Sequence, residues 1–281
     1  METKRSLQSI NEVIDFLKRK GSNHNFYYHY TTWDSLSKII RNKSFLLTRG
    51  NSMSINDQHE ALMKGSHELW NKTYIGSFAF GSSENMAMWG LYGLPWEDAV
   101  RIAIPKHEML KWINGTKEVY IWSNRKIDRM DEFDLSLADM LYVGGQSNGE
   151  DLRLTHNDRS WSTINTPGLY GLDTAPQMTG YIKNFAWHYE NEVRIRIQLP
   201  YSTGYEKILM DIPQSTIDSF QITTGPNFVW KDDNLFRQLI HDGRINESSF
   251  NGLVRYRELC SLCQHGNFER RETQPYGNKS P

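Results

Sequence analysis

Trp187-His188-Tyr189-Glu190-Asn191-Glu192-Val193-Arg194-Ile195-Arg196-Ile197 is the stretch on which the fold turns. It alternates strictly, as an extended strand requires. Val193, Ile195 and Ile197 fall on one side, and Glu190, Glu192, Arg194 and Arg196 on the other. Two carboxylates and two guanidiniums then share a face. Antiparallel sheets often leave one face wet, so the plain expectation is a solvated face with its charges paired along the strand. Trp187 and Tyr189 support a second expectation. They place flat rings on or beside the charged side, as a pocket for a planar ligand requires.

The rest of the chain sets the frame. Its 281 residues suffice for one large domain or two small ones. A net charge of −1 gives no global field toward nucleic acid or membrane, leaving only local patches. Aromatics make up 12% of residues against 38% hydrophobic in all, so core and pockets must be built largely from rings. No apolar run approaches the ~20 residues of a bilayer span. Met1–Ser6 leads into a polar helix rather than a signal segment. A cytoplasmic protein without a membrane partner is expected. Cys260 and Cys263, with His265 nearby, have no second cysteine pair to complete a four-ligand zinc site, so reduced thiols and no metal are expected.

Periodicity places an amphipathic helix over 5–20, with Leu7, Ile10, Val13, Ile14 and Leu17 as its stripe. It also predicts a strand over 26–32, a helix over 33–43 capped by Thr32 or Asp34, and a strand over 45–48. A helix opens at Asn56-Asp57 and runs to about Leu69. Further strands are predicted over 74–80, 99–104, 118–122 and 187–197, and near 207–212 and 219–224. Helices are predicted over 84–92, 106–112, 128–141 and 181–185, with C-terminal helices within 233–262 at 235–241 and 250–262. Gly144–Asp158 reads as a long loop or flap, and 264–281 as a polar tail. Strands between helical ends point to an α+β fold with a mixed or antiparallel sheet, in a single domain over 1–263. No Walker loop appears, and no Gly-x-Gly-x-x-Gly follows a strand, so nucleotide use would run through another geometry.

Four segments could carry chemistry. In Tyr28-His29-Tyr30-Thr31-Thr32, His29 could bond a ribose hydroxyl and a flanking tyrosine could stack on a base, or the segment is a half-buried aromatic strand. In Ser54-Ile55-Asn56-Asp57-Gln58-His59-Glu60, the Asn and Asp are helix caps, or a polar hook for a phosphate or amide. Trp89 and Tyr92 share a helix face, either as core or as a ring platform. Arg194 and Arg196 hold a pyrophosphate, or neutralise Glu190 and Glu192 and keep them ionised. Nucleophilic arrangements find little support, because no Gly-x-Ser-x-Gly elbow exists. His59 and His67 are only two potential metal ligands without a third.

The order of Tyr28–Thr32, Ser54–Glu60, Ser77–Tyr92 and Trp187–Ile197 resembles a large bacterial family of uncharacterised proteins linked to the ADP-ribosyltransferase superfamily. Ile222-Thr223-Thr224-Gly225-Pro226 extends the likeness, which spans about 26–240. Two departures stand out. Gln58 replaces the family's proline after Asn-Asp, and Ser77-Phe78-Ala79 stands where the family often has Cys-Phe-Ser, so Ser82 or Ser83 could substitute for the missing serine. The resemblance implies a split-sheet fold that binds NAD, as substrate, in a cleft between two small sheets. His29 would hold the ribose, with Tyr30 or Thr31 nearby, and Trp89 or Tyr92 would wall the nicotinamide. Tyr28, Asn56, Asp57, Ser77 and Arg194 would complete the NAD site. Glu192, or alternatively Glu190, would be the catalytic carboxylate, and Glu192→Gln is expected to keep the fold and abolish transfer.

The implied activity is mono-ADP-ribosyl transfer to a macromolecule, in a toxin or phage-defence setting where an antitoxin partner is expected. Lys111-Trp112, Tyr120–Lys126 and Arg255-Tyr256-Arg257 read either as a nucleic-acid path, which tilts the acceptor toward RNA or DNA over protein, or as ordinary surface. A non-catalytic nucleotide- or protein-sensing module and an NAD glycohydrolase are the alternatives.

Overall fold

The computed structural model describes residues 7, 9–52, 67–123, 126–143, 151–155, 161–165 and 175–251. Helix α1 (Ile10–Gly21) starts at Ser9, whose hydroxyl accepts from the Glu12 amide, and buries Val13 and Leu17. It is followed by β1 (Phe26–Thr32), α2 (Trp33–Asn42), β2 (Ser44–Arg49), α3 (His67–Trp70), β3 (Thr73–Ala79), α4 (Met86–Tyr92), β4 (Ala99–Pro105) and α5 (Lys106–Gly115). Next come β5 (Val119–Ser123), β6 (Lys126–Met130), β7 (Asp134–Asp139), β8 (Leu141–Val143), β9 (Asp151–Thr155), β10 (Trp161–Asn165) and β11 (Ile182–Asn184). The described chain closes with β12 (Glu192–Gln198), β13 (Lys207–Asp211), α6 (Gln214–Asp218), β14 (Gln221–Thr224), α7 (Asn234–His241) and β15 (Ile245–Glu247).

Eleven strands form one mixed sheet along the path β15-β14-β4-β1-β3-β2-β13-β5-β6, with β12 on β3 and β7 on β12. A second sheet runs β10-β9-β8-β11. Among the described residues, β14 with β15 and β8 with β11 pair in parallel and the other pairings are antiparallel. The α+β expectation holds at this level. Among the described residues no helix is long and apolar enough to cross a membrane.

The large sheet divides at β3. That strand pairs with β12 over its whole length, from Thr73↔Gln198 to Ala79↔Glu192. It meets β2 only at Thr48↔Ile75 and Arg49↔Tyr74, and β1 only at Tyr28↔Ala79. Between those contacts β1 and β2, joined by α2, lean away from Gly76, Ser77 and Phe78. A gap thus opens inside the sheet. The main core lies beneath it, built from Tyr27, Leu36, Phe45, Phe78, Trp112 and Ile195 among others.

Several expected elements differ. Residues 128–141 are strands, not a helix. Leu135 and Leu137 alternate with Ser136 and Ala138, and β7 pairs with β12 from Asp134↔Gln198 to Asp139↔Val193. This tertiary pairing overrides the helix propensity of Leu, Ala and Met. Residues 181–184 are not helical either; β11 occupies 182–184, and helical turns begin only at Phe185. The late charged strand begins at Glu192 rather than at 187. Residues 185–190 form a 3₁₀ helix opened by Asn184, whose side chain accepts from the Ala186 amide. Asn191 ends it at φ 46°, a left-handed conformation that asparagine tolerates better than most residues. Within the expected loop at 144–158, residues 151–155 are a strand paired with 161–165. Ser54–Glu60, the segment 250–262 beyond Asn251, Cys260, Cys263, His265 and the tail lie outside the described residues.

Candidate active site

Strand β12 is buried along nearly its entire length, between β3 and β7. Its charged face is not wet. Glu192, Arg194 and Arg196 are 2%, 1% and 3% exposed. The covering layer comes from β11, the turn before it, and Tyr142 of β8. Buried charges must be paired and hydrogen-bonded, and these are. The Arg196 guanidinium donates to the Thr179 carbonyl (2.8 Å), Asp134 (3.0 Å) and Gln198, and stacks over the Tyr181 ring.

Lys183 of β11 joins the two acids. Its ammonium bonds Glu190 and lies 3.0 Å from Glu192 Oε2. Glu192 also accepts from Arg194 Nε (2.8 Å), Arg194 Nη2 (3.2 Å) and Ser77 Oγ (2.5 Å). Its backbone amide donates to the Tyr142 hydroxyl at 2.9 Å. Glu190 takes its other bond from the Tyr92 hydroxyl, 2.6 Å away. Two carboxylates thus share two cations, and the sharing is unequal.

Burial pushes the Glu192 carboxyl up, but Arg194 first, then Lys183, then the bonds from Arg194 and Ser77 outweigh it and hold the group well below the usual carboxylate range. Burial dominates at Glu190. Lys183 offsets it only in part and the Glu192 charge adds to it, so its pKa stands above the ordinary value. Burial, followed by Glu190, also raises the Tyr92 phenol, which remains a donor. One carboxyl of the pair is thus held below the ordinary carboxylate range and the other above it, the kind of asymmetry that acid–base pairs show.

His29 reaches the same place from β1. Its Nδ1 lies 3.0 Å from the Ser77 carbonyl oxygen. A carbonyl can only accept, so Nδ1 carries the proton and, in the neutral ring, Nε2 keeps a free lone pair. The ring bridges the gap in the sheet that the β1–β3 ladder leaves open. It is flanked edge-on by Phe45, with ring centres 4.9 Å apart. Burial lowers the His29 pKa, partly offset by the bond to Ser77. The folded protein therefore binds a proton at His29 less readily than the unfolded chain, and this contribution to stability is lost as pH falls through about 6.5. Glu190 acts in the opposite sense above about 4.5. Urea unfolding between pH 8 and 5 should show the stability of wild type relative to His29→Gln shrinking below pH 6.5. A difference independent of pH would contradict a half-buried imidazole that burial keeps neutral.

His29, Ser77, Tyr92, Glu190 and Glu192 line one hollow of about 80 Å³. His29, Ser77 and Tyr92 also line a cleft of about 620 Å³ in the gap between β1, β2 and β3, together with Thr31, Lys38 and Arg194. The exposed Ser77 and the half-buried Tyr92 therefore stand where the hollow meets the cleft.

Among the sequence-predicted residues, this geometry gathers His29, Thr31, Ser77, Tyr92, Glu190, Glu192 and Arg194. Tyr28 and Tyr30 border the hollow, but they face α4. The Tyr30 hydroxyl is engaged by the Asn85 amide at 3.1 Å, and Arg101 packs over the Tyr28 ring at 4.6 Å.

Three expectations are corrected. Trp89 cannot wall a ligand; it is fully buried, bonds Glu84 through Nε1 and packs edge-on against Tyr30. Arg194 neutralises Glu192 rather than presenting its fork to a pyrophosphate, and its Nη1 lies 3.4 Å from the Gly180 carbonyl. Glu192→Gln, expected above to keep the fold, removes the charge from a buried carboxylate with four donors, so a loss of stability should accompany any loss of activity. Asn56 and Asp57 lie outside the described residues. Trp112 is core, which removes the ring from the Lys111-Trp112 candidate for nucleic-acid contact.

Lys183 was missed. Ile182-Lys183-Asn184 carries no signal beyond a single lysine, and only the pairing of β11 with β8 brings it to the glutamates. Comparison with family models, with curated proteins and with solved structures finds no match.

Proposed function

We propose that the protein is an NAD-dependent ADP-ribosyltransferase with an ADP-ribosyltransferase-like split sheet. The observation that carries this reading is the meeting of His29, Ser77, Glu190 and Glu192 at one hollow opening on a cleft large enough for a dinucleotide. Several hydroxyls and the Asn42 amide border that cleft, as a ligand rich in ribose hydroxyls requires. His29 offers an imidazole at its floor. In this reading the bond between nicotinamide and the ribose C1′ breaks, and nicotinamide leaves with the electron pair. Glu192, held ionised, faces the positive charge that develops on the sugar. The acceptor nucleophile bonds C1′ and gives its proton to Glu190, whose raised pKa makes it the better base.

The resemblance in motif order supports the same reading and brings with it a cytoplasmic toxin or phage-defence role with an antitoxin partner. A second reading, a non-catalytic nucleotide- or protein-sensing module, is favoured by the full set of donors on Glu192, which is also the form of a structural ion cluster. Incubating the purified chain with NAD labelled in its adenylate half, plus cell lysate, separates the two. Nicotinamide release with label on a macromolecule is expected. Release without labelled acceptor would indicate a glycohydrolase, and calorimetric binding of NAD without turnover would leave the sensor.

A further inference from the structure

The two carboxylates and the cleft do not touch. Glu190 is 3% exposed and Glu192 2%, and both line the small hollow but not the cleft. His29, Ser77 and Tyr92 line both. Two of these three carry hydroxyls, and each hydroxyl stands between the cleft and one acid. Ser77 Oγ donates to Glu192 at 2.5 Å, and the Tyr92 hydroxyl donates to Glu190 at 2.6 Å.

The two hydroxyls are not equivalent. Arg194 and Lys183 hold the Glu192 carboxyl low and make it a poor base. Burial leaves Glu190 the stronger base, so a proton offered from the cleft belongs on Glu190. Among the described residues none donates to the Tyr92 oxygen, whose lone pairs are left to a donor in the cleft. Burial and the Glu190 charge hold the phenol too high to ionise. A hydroxyl that gains one proton as it gives up another does not need to ionise.

We propose that Tyr92 is the proton relay of the transfer step, its hydroxyl taking the acceptor's proton and passing its own to Glu190. The inference rests on the transferase reading above and adds to it the path of the proton. The acceptor's lone pair bonds C1′, the bond from C1′ to nicotinamide breaks, and that electron pair leaves with nicotinamide. The acceptor's own bond to hydrogen breaks and its proton joins the Tyr92 oxygen. The Tyr92 O–H bond breaks toward Glu190 Oε1. Tyr92 ends as it began, and Glu190 ends neutral.

Nicotinamide release from NAD in the presence of cell lysate tests this, with the full chain, from pH 8 to 5. Release reports the step whether ADP-ribose passes to a macromolecule or to water. Wild type is compared with Tyr92→Phe, Glu190→Gln and the double variant, each shown folded by circular dichroism. Either single variant should lower kcat about 10²-fold, the lower range for a positioned general base, and leave the KM for NAD within about twofold. The double variant should fall no further, since members of one relay fail together. In wild type kcat should fall as acid protonates Glu190, which faces Lys183, Glu192, Tyr92, Tyr142 and Tyr189, with His29 in the same hollow. The acid limb that Glu190→Gln removes belongs to Glu190, and Tyr92→Phe should remove the same limb. If Tyr92 only braces Glu190, that limb would survive and move to higher pH, because the bond from Tyr92 favours the ionised carboxyl. A surviving limb, losses that multiply in the double variant, or wild-type kcat in Tyr92→Phe would overturn the relay. Absence of nicotinamide release by wild type would instead overturn the transferase reading, and the relay with it.

Discussion

Glu192→Gln should reduce ADP-ribosyl transfer about 10²–10³-fold, the usual effect of removing a preorganised electrostatic group from a reacting centre. The amide keeps the shape of the side chain but not its charge. It cannot balance Arg194 and Lys183, both of which pair with the Glu192 carboxylate. Stability should fall as well, so rates must be measured at a temperature where circular dichroism shows the variant folded.

Ser77→Ala is the control. It removes one of four donors to Glu192 and leaves the carboxylate ionised by Arg194 and Lys183. Its cost should be about 1 kcal/mol, the typical worth of one hydrogen bond. A folded Glu192→Gln protein with wild-type turnover would sink the assignment. Equal loss in both variants would mean that the Ser77 hydroxyl, rather than the charge, is what the reaction needs.

How far the sequence reveals this site depends on whether each signal is local. β1, α2 and β2 are legible because Thr32 caps a helix whose apolar stripe follows at once, and because aromatic β-formers precede it. His29 could be singled out for the same reason. The burial of the charged face could not. Alternation of Glu192, Arg194 and Arg196 with Val193, Ile195 and Ile197 is identical whether that face meets water or a second layer. The covering layer comes from 176–184 and Tyr142, and its own sequence carries no such pattern.

The helix expected over 128–141 fails for a related reason. Its residues favour helix locally, and their partner strand lies more than fifty positions away. Trp89 and Tyr92 show the limit of helical spacing as a guide. Both rings project from α4 three residues apart, yet one fills the core with Tyr30 and Met88 while the other bonds Glu190 at the cleft. Only the position of the neighbouring β1 distinguishes them.

Lys183→Met tests whether the cluster is held by charge balance. In the wild type Lys183 and Arg194 offset Glu190 and Glu192. Removing the ammonium takes from two buried carboxylates a cation that both of them bond, while the Arg194 guanidinium stays on Glu192. Breaking a buried pair from one side costs about 3–5 kcal/mol. At about 2–4 °C per kcal/mol for a chain of this size, that is a fall in Tm of roughly 10 °C. The residual charge can be relieved in two ways, and both are measurable. Glu190→Gln added to Lys183→Met should recover at least about 1 kcal/mol, a coupling that two independent sites would not show. Acid should also help. Without Lys183 the Glu190 pKa rises further, so the folded state holds its proton more tightly than the unfolded chain, and stability grows as pH falls from 7 toward 5. The His29 contribution runs the other way over the same range, so the comparison must be Lys183→Met against Lys183→Met/Glu190→Gln at each pH. The single variant should gain on the double one as acid is added. If Lys183→Met melts with wild type, or if the gap between the two variants does not move with pH, the ammonium is not what permits two acids to be buried at the floor of the cleft.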